Sequence, residues 1–271
     1  MVENVGIFNL FKRQNKERID RGDEMLIESS NNPKIKKWAK LKQKKYRYQV
    51  NEYIVEGEHL VLEALEAGVV KEILVREGAS VPNEISTAEM DVYTLKENLF
   101  SQIASTETPQ PMMAICSMQS LEISQNNRLL LLDRIQDPGN LGTLLRSALA
   151  FDFDGVILGE GCVDLYNEKV IRSTQGAIFK LAIQHQCLTE TIEALKEQGV
   201  RVYGTSLQNG RPLREIETSG QMAFILGNEG SGVSKELLAL TQQNIFIEMG
   251  EKIESLNVSI AGSIIMYQFR P

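Results

Sequence analysis

Residues 223–232 read AFILGNEGSG, an apolar run that passes directly into a glycine-rich turn. A second apolar run at residues 245–247 also passes into a turn, and the tripeptide SLN follows at residues 255–257. Apolar runs of this kind are typical of strands buried in a parallel sheet. Both turns should therefore open at the carboxyl edge of that sheet, where open α/β folds bind their ligands. Because glycine lets the backbone approach a ligand closely, the stretch predicts a ligand-binding loop that contains one acid, Glu229.

From residue 129 onward the chain alternates between strand and helix patterns. The predicted strands lie at residues 129–132, 156–158, 180–183, 200–205, 223–226 and 245–247. Helices are predicted near residues 142–150, 190–198, 234–241 and 258–267. Residues 128–271 are therefore predicted to form an α/β domain with a mostly parallel sheet that helices cover on both faces.

The loop after the first of these strands carries a further group of polar residues. Residues 133–146 read DRIQDPGNLGTLLR. Asn140 is in position to cap the following helix, and Gly142 then falls in its first turn, where backbone N–H groups are free to bind an anion. Arg146 follows one turn later and can reach the same phosphate. An ordinary cap and a surface salt bridge stay open as alternatives, because the loop lacks the GxGxxG and P-loop patterns.

A smaller α/β domain is predicted upstream, over residues 25–116. Its strands are expected at residues 53–55, 69–75, 92–95 and 112–116, with a helix at residues 58–67. The polar residues 117–127 are the predicted linker, and residues 1–24 are a predicted poorly structured extension.

Residues 31–47 form a dense basic segment in a chain whose formal net charge is −7. No acid interrupts this segment, and Trp38, Tyr46 and Tyr48 are interleaved with the basic residues. One interpretation is a solvated helix face whose aromatic side chains pack inward. The charge density favours the other, which is RNA binding through phosphate attraction and base stacking. The candidate RNA-binding residues are Lys34, Lys36, Lys37, Lys40, Lys44, Lys45 and Arg47.

The composition narrows the remaining function classes. Hydrophobic residues make up 42% and charged residues 24%, as in soluble globular proteins, and no apolar run is long enough for a membrane helix. Cys116, Cys162 and Cys187 are far apart and odd in number, which favours reduced cysteines and a cytoplasmic location. With only His59 and His185 as histidines, zinc chemistry and a Ser–His hydrolase are disfavoured, and no metal is expected.

Together, three elements resemble the SpoU (TrmH-type) family of RNA ribose 2′-O-methyltransferases, within the SPOUT superfamily. They are NLGTLLR at residues 140–146, LGNEG at residues 226–230 and SLNVS at residues 255–259. The resemblance covers about residues 128–269, and the upstream unit resembles the family's ribosomal-protein-like domain that binds the RNA substrate. It implies S-adenosylmethionine as the cofactor, a deep trefoil knot at about residues 223–262, and a homodimer formed through the knotted domain.

The resemblance also implies the residues of the site. The implied catalytic residues are Asn140, Arg146, Glu229, Ser255 and Asn257. The implied cofactor-binding residues are Thr205, Leu207, Gly227, Asn228, Ile247, Met249 and Leu256. Dimer contacts or core packing are expected for the apolar residues of the final helix, which are Ile260, Ile264, Ile265, Tyr267 and Phe269.

Methyl transfer to a ribose hydroxyl requires an aligned oxygen, loss of a proton and a held phosphate. The family's usual mechanism makes the arginine the base, but a guanidinium is effectively always protonated, and a nearby phosphate favours its charged form. We therefore expect Arg146 to anchor the phosphate and Glu229 to position Asn140 or Arg146, with the proton acceptor left open. Glu248 stands where the family often has proline, which would fix φ, so we expect the glutamate either to loosen the loop or to add repulsion toward RNA.

The leading prediction is a methyltransferase that acts on a ribose 2′-hydroxyl in structured RNA. The additional amino-terminal domain favours ribosomal RNA, because family members that act on transfer RNA commonly lack it. Two alternatives stay open: a non-catalytic RNA-binding or ribosome-assembly factor on the same fold, and a transfer-RNA methyltransferase.

Overall fold

The computed structural model describes residues 25–82, 85, 90–123, 128–250, 252–253 and 255–271. The extension predicted at residues 1–24 lies outside the described residues. Within them, the amino-terminal half builds a mixed five-stranded sheet, and the carboxyl-terminal half builds an all-parallel seven-stranded sheet.

The amino-terminal half follows the predicted α/β pattern and adds a short edge strand that the sequence did not predict. Its elements are β1 (Met25–Ile27), α1 (Pro33–Lys40), α2 (Lys44–Val50), β2 (Glu52–Glu56), α3 (Glu58–Glu66), β3 (Val70–Arg76), β4 (Asp91–Leu95), α4 (Glu97–Ile103) and β5 (Met112–Ser117). The strand order is β1-β4-β3-β5-β2, with β5 antiparallel to both of its neighbours. The basic segment therefore forms α1 and α2, two helices joined by a short turn.

The carboxyl-terminal half alternates strands and helices as predicted. Its elements are β6 (Arg128–Asp133), α5 (Pro138–Ala150), β7 (Gly155–Leu158), α6 (Glu168–Thr174), β8 (Ile183–His185), α7 (Leu188–Glu197), β9 (Arg201–Thr205), β10 (Gly210–Pro212), β11 (Met222–Gly227), α8 (Lys235–Leu240), β12 (Gln243–Phe246) and α9 (Val258–Gln268).

The strand order of this sheet brings the predicted loops together. The order is β10-β12-β9-β11-β6-β7-β8, and every pairing is parallel, so all carboxyl ends lie at one edge. The loops after β6, β9, β11 and β12 all leave from that edge. β12 lies between β9 and β10, although it follows both of them in sequence. The knot expected at residues 223–262 stays a prediction.

Helices cover both faces of the sheet because side chains alternate along each strand. Leu130 and Leu132 of β6 pack in one core with residues of α5, α6 and α9. Leu129 and Leu131, which point to the opposite face, pack in a second core with residues of α7 and α8. No helix among the described residues combines the length and apolarity needed to cross a lipid bilayer.

The start of α5 differs from the prediction. Pro138 occupies the first turn, and Asp137 rather than Asn140 is the N-cap, because its side chain accepts a bond from Asn140 N at 2.9 Å. Gly142 therefore lies in the second turn. A Cβ atom there would come within 2.3 Å of Ser173 Cβ, so Gly142 provides close packing of α5 against α6. The prediction of free N–H groups for an anion at Gly142 is wrong.

Two further boundaries move. The strand predicted at residues 180–183 is wrong, because Ala177–Phe179 form a short 3₁₀ helix and the strand is β8 at Ile183–His185. β5 continues to Ser117, so the connection between the two sheets begins one residue later than predicted.

The two halves meet through a shared apolar boundary. Ile171 and Phe179 of the carboxyl-terminal half pack in the core of the amino-terminal half. The ring of Tyr166 lies 4.6 Å from the ring of Tyr53, measured between centroids. These contacts join the amino-terminal sheet to the half of the chain that carries the predicted ligand loops.

Candidate active site

A cavity of about 730 Å³ opens at the carboxyl edge of β9, β11 and β12. Its wall combines apolar side chains with a few polar groups, as is typical of small-molecule sites. All of the predicted cofactor-binding residues line it: Thr205, Leu207, Gly227, Asn228, Ile247, Met249 and Leu256. The predicted catalytic residues Glu229, Ser255 and Asn257 line it as well. Three loops, which follow β9, β11 and β12, therefore form a single cavity.

The loop after β11 folds back tightly on itself. Gly227 ends the strand opposite Asp133 of β6. The chain then returns, so that Gly232 N donates to Asn228 O at 2.9 Å. A Cβ atom at position 227 would lie 2.0 Å from Val233 N, a distance that no side chain can satisfy. Gly227 is therefore required by close approach of the backbone to itself.

Asn228 holds this loop from within. Its Oδ1 accepts bonds from Gly230 N at 3.0 Å and from Ser231 N at 3.1 Å. Its Nδ2 donates to Arg134 O at 3.0 Å, which ties the loop after β11 to the loop after β6. The amide of Asn228 thus shapes the wall of the cavity through bonds to the backbone.

Three predicted catalytic residues form one hydrogen-bonded chain. Asn140 Nδ2 donates to Glu229 Oε1 at 3.1 Å, and Asn257 Nδ2 donates to Asn140 Oδ1 at 2.9 Å. Asn257 is also the N-cap of α9, where its Oδ1 accepts bonds from the N–H groups of Ser259 and Ile260. Each amide is therefore oriented by its neighbours, and the chain links the starts of α5 and α9 to the loop after β11.

Glu229 is held as a carboxylate by its surroundings. Burial acts to raise its pKa, but bonds from the Asn140 side chain and from the backbone N–H groups of Asp137 and Gln136 outweigh burial and lower the pKa below its usual value of 4.5. A carboxylate with a lowered pKa is a weak base. Glu229 is therefore suited to orienting Asn140 rather than to accepting a proton.

Arg146 lies outside the cavity wall, two turns into α5. Its side chain is exposed, and among the described residues no acid pairs with it. The next residue, Ser147, forms a hydroxyl–hydroxyl bond with Ser263 of α9 at 2.8 Å. The guanidinium of Arg146 is therefore available to an anion, on a helix that contacts α9.

The final helix divides into a buried and an exposed face. Ile265 and Phe269 are buried in the core of the sheet. Ile260, Ile264 and Tyr267 are exposed to 53%, 38% and 56%. Core packing therefore accounts for the first pair, and the described residues leave an exposed apolar surface on the other face.

The basic segment is only partly exposed. Trp38 is fully buried and donates to Glu72 at 2.7 Å, so this aromatic side chain packs inward. Lys34 pairs with the same Glu72, and Lys37 pairs with Glu52 at 2.8 Å. Both lysines are thereby partly neutralised by acids of the amino-terminal sheet.

The structure removes Arg47 from the candidate RNA-binding residues. Its side chain is buried, pairs with Asp164, and donates to the carbonyl groups of Leu41 and Lys42 at 2.9 Å each. A guanidinium that is enclosed in this way cannot contact RNA. The exposed candidates with no acidic partner among the described residues are Lys36, Lys40, Lys44 and Lys45.

The structure adds two residues that the sequence did not single out. Lys235, at the start of α8, is the one basic side chain among the described residues of the cavity wall. Arg214, in the turn after β10, pairs with Glu248 at 2.9 Å and so links this turn to the loop after β12. This ion pair lies at the position at which the family often has proline.

The chain matches the SpoU rRNA Methylase family over residues 127–267. It belongs to this family. The SpoU domain is preceded by a match to the MRM3-like substrate binding domain over residues 32–114. As a SpoU methylase, the protein is an rRNA ribose 2′-O-methyltransferase that uses S-adenosylmethionine, as predicted.

Relatives of this SpoU methylase match along nearly their whole lengths. The 23S rRNA (guanosine(2553)-2′-O)-methyltransferase RlmP of Bacillus subtilis strain 168 is 44% identical over 245 residues, which make up 90% of this chain and 98% of that protein. The AdoMet-bound rRNA methyltransferase from Sinorhizobium meliloti has a TM-score of 0.82 and 27% identity, and the match covers 92% of this chain and 98% of that one. A solved RNA 2′-O ribose methyltransferase has a TM-score of 0.78 and 27% identity over 90% of this chain and 98% of its own.

Proposed function

We propose that this enzyme methylates the ribose 2′-hydroxyl of a guanosine in 23S ribosomal RNA, the nucleoside that the name of its Bacillus subtilis relative specifies. The observation that carries the proposal is the hydrogen-bonded chain of Glu229, Asn140 and Asn257 at the rim of a preformed cavity. It joins a small-molecule site to exposed amides that a ribose can contact. A cytoplasmic location is part of this proposal, because that is where a 23S ribosomal RNA substrate would be met.

The donors in the cavity wall fit S-adenosylmethionine. The apolar side chains of the wall suit an adenine ring, and the backbone groups of Gly227, Ile247 and Leu256 would hydrogen-bond the edge of that ring. Lys235 would bind the carboxylate, and Thr205 supplies a hydroxyl to the same wall. When bound, the cofactor supplies an electrophilic methyl group.

The residues around the cavity position the acceptor. Asn140 is fixed between Glu229 and Asn257, so its amide can hold the ribose without further ordering. Arg146 anchors the adjacent phosphate and stabilises the alkoxide as it develops. Alignment of this kind supplies a large part of the rate, because it replaces a chance encounter with a fixed geometry.

RNA contacts are assigned to the exposed lysines of α1 and α2. Lys40 and Lys44 each lie 5.7 Å from the centroid of a tyrosine ring, Tyr46 and Tyr48 respectively, so cations and aromatic faces alternate along this surface. Phosphate attraction and base stacking both operate on such a surface. Lys34 and Lys37 contribute less, because each is paired with an acid.

A homodimer through α9 would complete the site. Ile260, Ile264 and Tyr267 form an exposed apolar face beside α5, which carries Arg146. A second copy that covers this face would bring its own Arg146 close to the cavity. Replacing Ile260 and Tyr267 by glutamate should give monomers in analytical ultracentrifugation and abolish methyl transfer, and a dimer that survives this change would contradict the assignment.

The proposed function is tested with unmodified 23S ribosomal RNA transcribed in vitro. Incubation with S-adenosylmethionine carrying a labelled methyl group should label the RNA at one ribose, mapped by resistance to alkaline cleavage. Label on transfer RNA instead would favour the transfer-RNA alternative. RNA binding without any label, on transcript or on ribosomal particles, would favour the non-catalytic assembly factor.

The RNA surface is tested by salt dependence. Alanine at Lys36, Lys40, Lys44 and Lys45 should reduce the slope of log Kd against log salt by about 1 for each lysine that contacts a phosphate. Lys196→Ala on α7 is the matched control and should leave the slope unchanged. An unchanged slope in the quadruple variant would remove α1 and α2 from the RNA surface.

A further inference from the structure

The buried carboxylate of Asp164 joins the catalytic domain to the basic helix α2. It lies in the loop between β7 and α6, and it pairs with Arg47 while both side chains are less than 10% exposed. It also accepts a bond from the Tyr48 hydroxyl at 2.7 Å. Both partners lie on α2, one helical turn after Lys44 and Lys45. A single carboxylate therefore binds the helix that carries two of the exposed lysines.

The same loop is bonded to the backbone that supports the catalytic chain. Val163 N donates to Ile135 O at 2.8 Å. The next two backbone N–H groups, of Gln136 and Asp137, donate to the carboxylate of Glu229 at 3.3 and 3.0 Å. A continuous set of short contacts therefore runs from α2 through residues 163–164 to the acid that orients Asn140.

Net stability is a poor explanation for this ion pair. The two halves already share an apolar boundary, which includes Ile171, Phe179 and the Tyr53–Tyr166 contact. A buried ion pair adds little net stability, because the cost of removing both charges from water offsets their attraction. Its directional bonds do fix an orientation that apolar contacts leave adjustable.

From this geometry we propose that Asp164 is a positioning residue, which sets the orientation of the RNA-binding helix α2 relative to the catalytic loop at residues 135–140. The inference rests on the proposed function. Without Asp164 the RNA still binds the lysines and the cofactor still binds its cavity, but the target ribose is held out of line with the methyl group. The turnover number should therefore fall while both affinities are kept.

The test is the double variant Arg47→Met with Asp164→Leu, which replaces the pair by apolar side chains and leaves no buried charge without a partner. We expect kcat on the 23S transcript to fall about tenfold or more, since misplacement by about 1 Å can cost a hundredfold. The Kd for S-adenosylmethionine should stay within twofold and the Kd for the transcript within threefold. Lys180→Met is the matched control, because it breaks another ion pair between the two halves, with Glu63 at 2.5 Å. Its kcat should equal that of the wild type.

Each outcome decides the matter. Unchanged kcat in the double variant, or an equal fall in Lys180→Met, would overturn the positioning role. Loss of cofactor binding in the double variant would indicate that the variant does not fold, and Tyr48→Phe is then the deciding variant. Tyr48 is 44% exposed, so its hydroxyl can be removed without disturbing the core. A severalfold lower kcat with unchanged Kd values is then expected, and wild-type kcat would overturn the proposal. A wild-type enzyme that labels no RNA would instead refute the proposed function.

Discussion

Replacing Gly227 by alanine should damage the cofactor site more than any other single methyl group added to it. The new Cβ atom would lie 2.0 Å from Val233 N and 2.1 Å from Gly232 C, where ordinary contacts begin near 3.4 Å. The backbone at residues 232–233 must therefore move by about 1.4 Å, which is 3.4 minus 2.0. Since the atoms in the way belong to the main chain, rotation of a side chain cannot relieve the overlap.

This displacement changes both stability and catalysis. Overpacking of this kind costs about 1–3 kcal/mol, so the melting temperature should fall by several degrees. Misplacement by about 1 Å can cost a hundredfold in rate, so kcat/KM should fall at least to that extent. Calorimetric titration with S-adenosylmethionine should show binding that is strongly weakened or undetectable.

The matched control is Gly250→Ala, in the loop after β12. At that position a Cβ atom meets nothing within 4 Å, so cofactor affinity should stay within about threefold of wild type. Wild-type cofactor affinity in Gly227→Ala would refute the argument, because it would mean that the loop tolerates a shift larger than 1 Å. An equal loss in Gly250→Ala would show that the effect is not specific to the close approach.

Three further substitutions separate binding, positioning and folding. Arg146→Ala should lower kcat about a hundredfold or more with an unchanged isotherm for S-adenosylmethionine, and normal turnover would remove Arg146 from the site. The bonds that lower the pKa of Glu229 stabilise the fold above about pH 4.5, and this stabilisation is lost as the pH falls through the lowered pKa. Below pH 4.5 the melting temperature of Glu229→Gln should therefore decline less than that of the wild type. Arg128→Met should cost about 3–5 kcal/mol in chemical denaturation, because buried Arg128 donates to the carbonyls of Thr218, Gly220 and Phe269; a loss below 1 kcal/mol would contradict this.

Much of the site could be predicted because its parts follow strands. Apolar runs mark the strands, and parallel strands place the loops that follow them at one edge, whereas the resemblance to the family singled out Asn140, Glu229 and Asn257 within those loops. Their order in the chain of bonds was not predictable, because it depends on how far each loop extends beyond the edge. Neither was the pairing of Arg214 with Glu248, since it joins two loops whose conformations no local pattern fixes.

The start of α5 was predictable from local chemistry, although Asn140 was preferred as its cap. Asp137 followed by Pro138 is a cap followed by a residue whose fixed φ suits the first helical position. The sequence predicted less well which basic side chains of residues 31–47 face solvent. Charge density separates solvent-facing from buried lysines poorly, and Arg47 could be assigned to the interior only after Asp164, 117 residues away, was known to face it.

The position of β12 affects the order in which the enzyme folds. A strand that lies between β9 and β10 can join the sheet only when its neighbours leave room for it. Pairings between distant parallel strands form slowly, because chain entropy is lost before the contacts reward it. We therefore expect refolding from denaturant to recover helical circular dichroism before it recovers S-adenosylmethionine binding, and equal rates for the two signals would contradict this order. A newly synthesised chain then passes through a period in which most of its secondary structure is present and its chemistry is not.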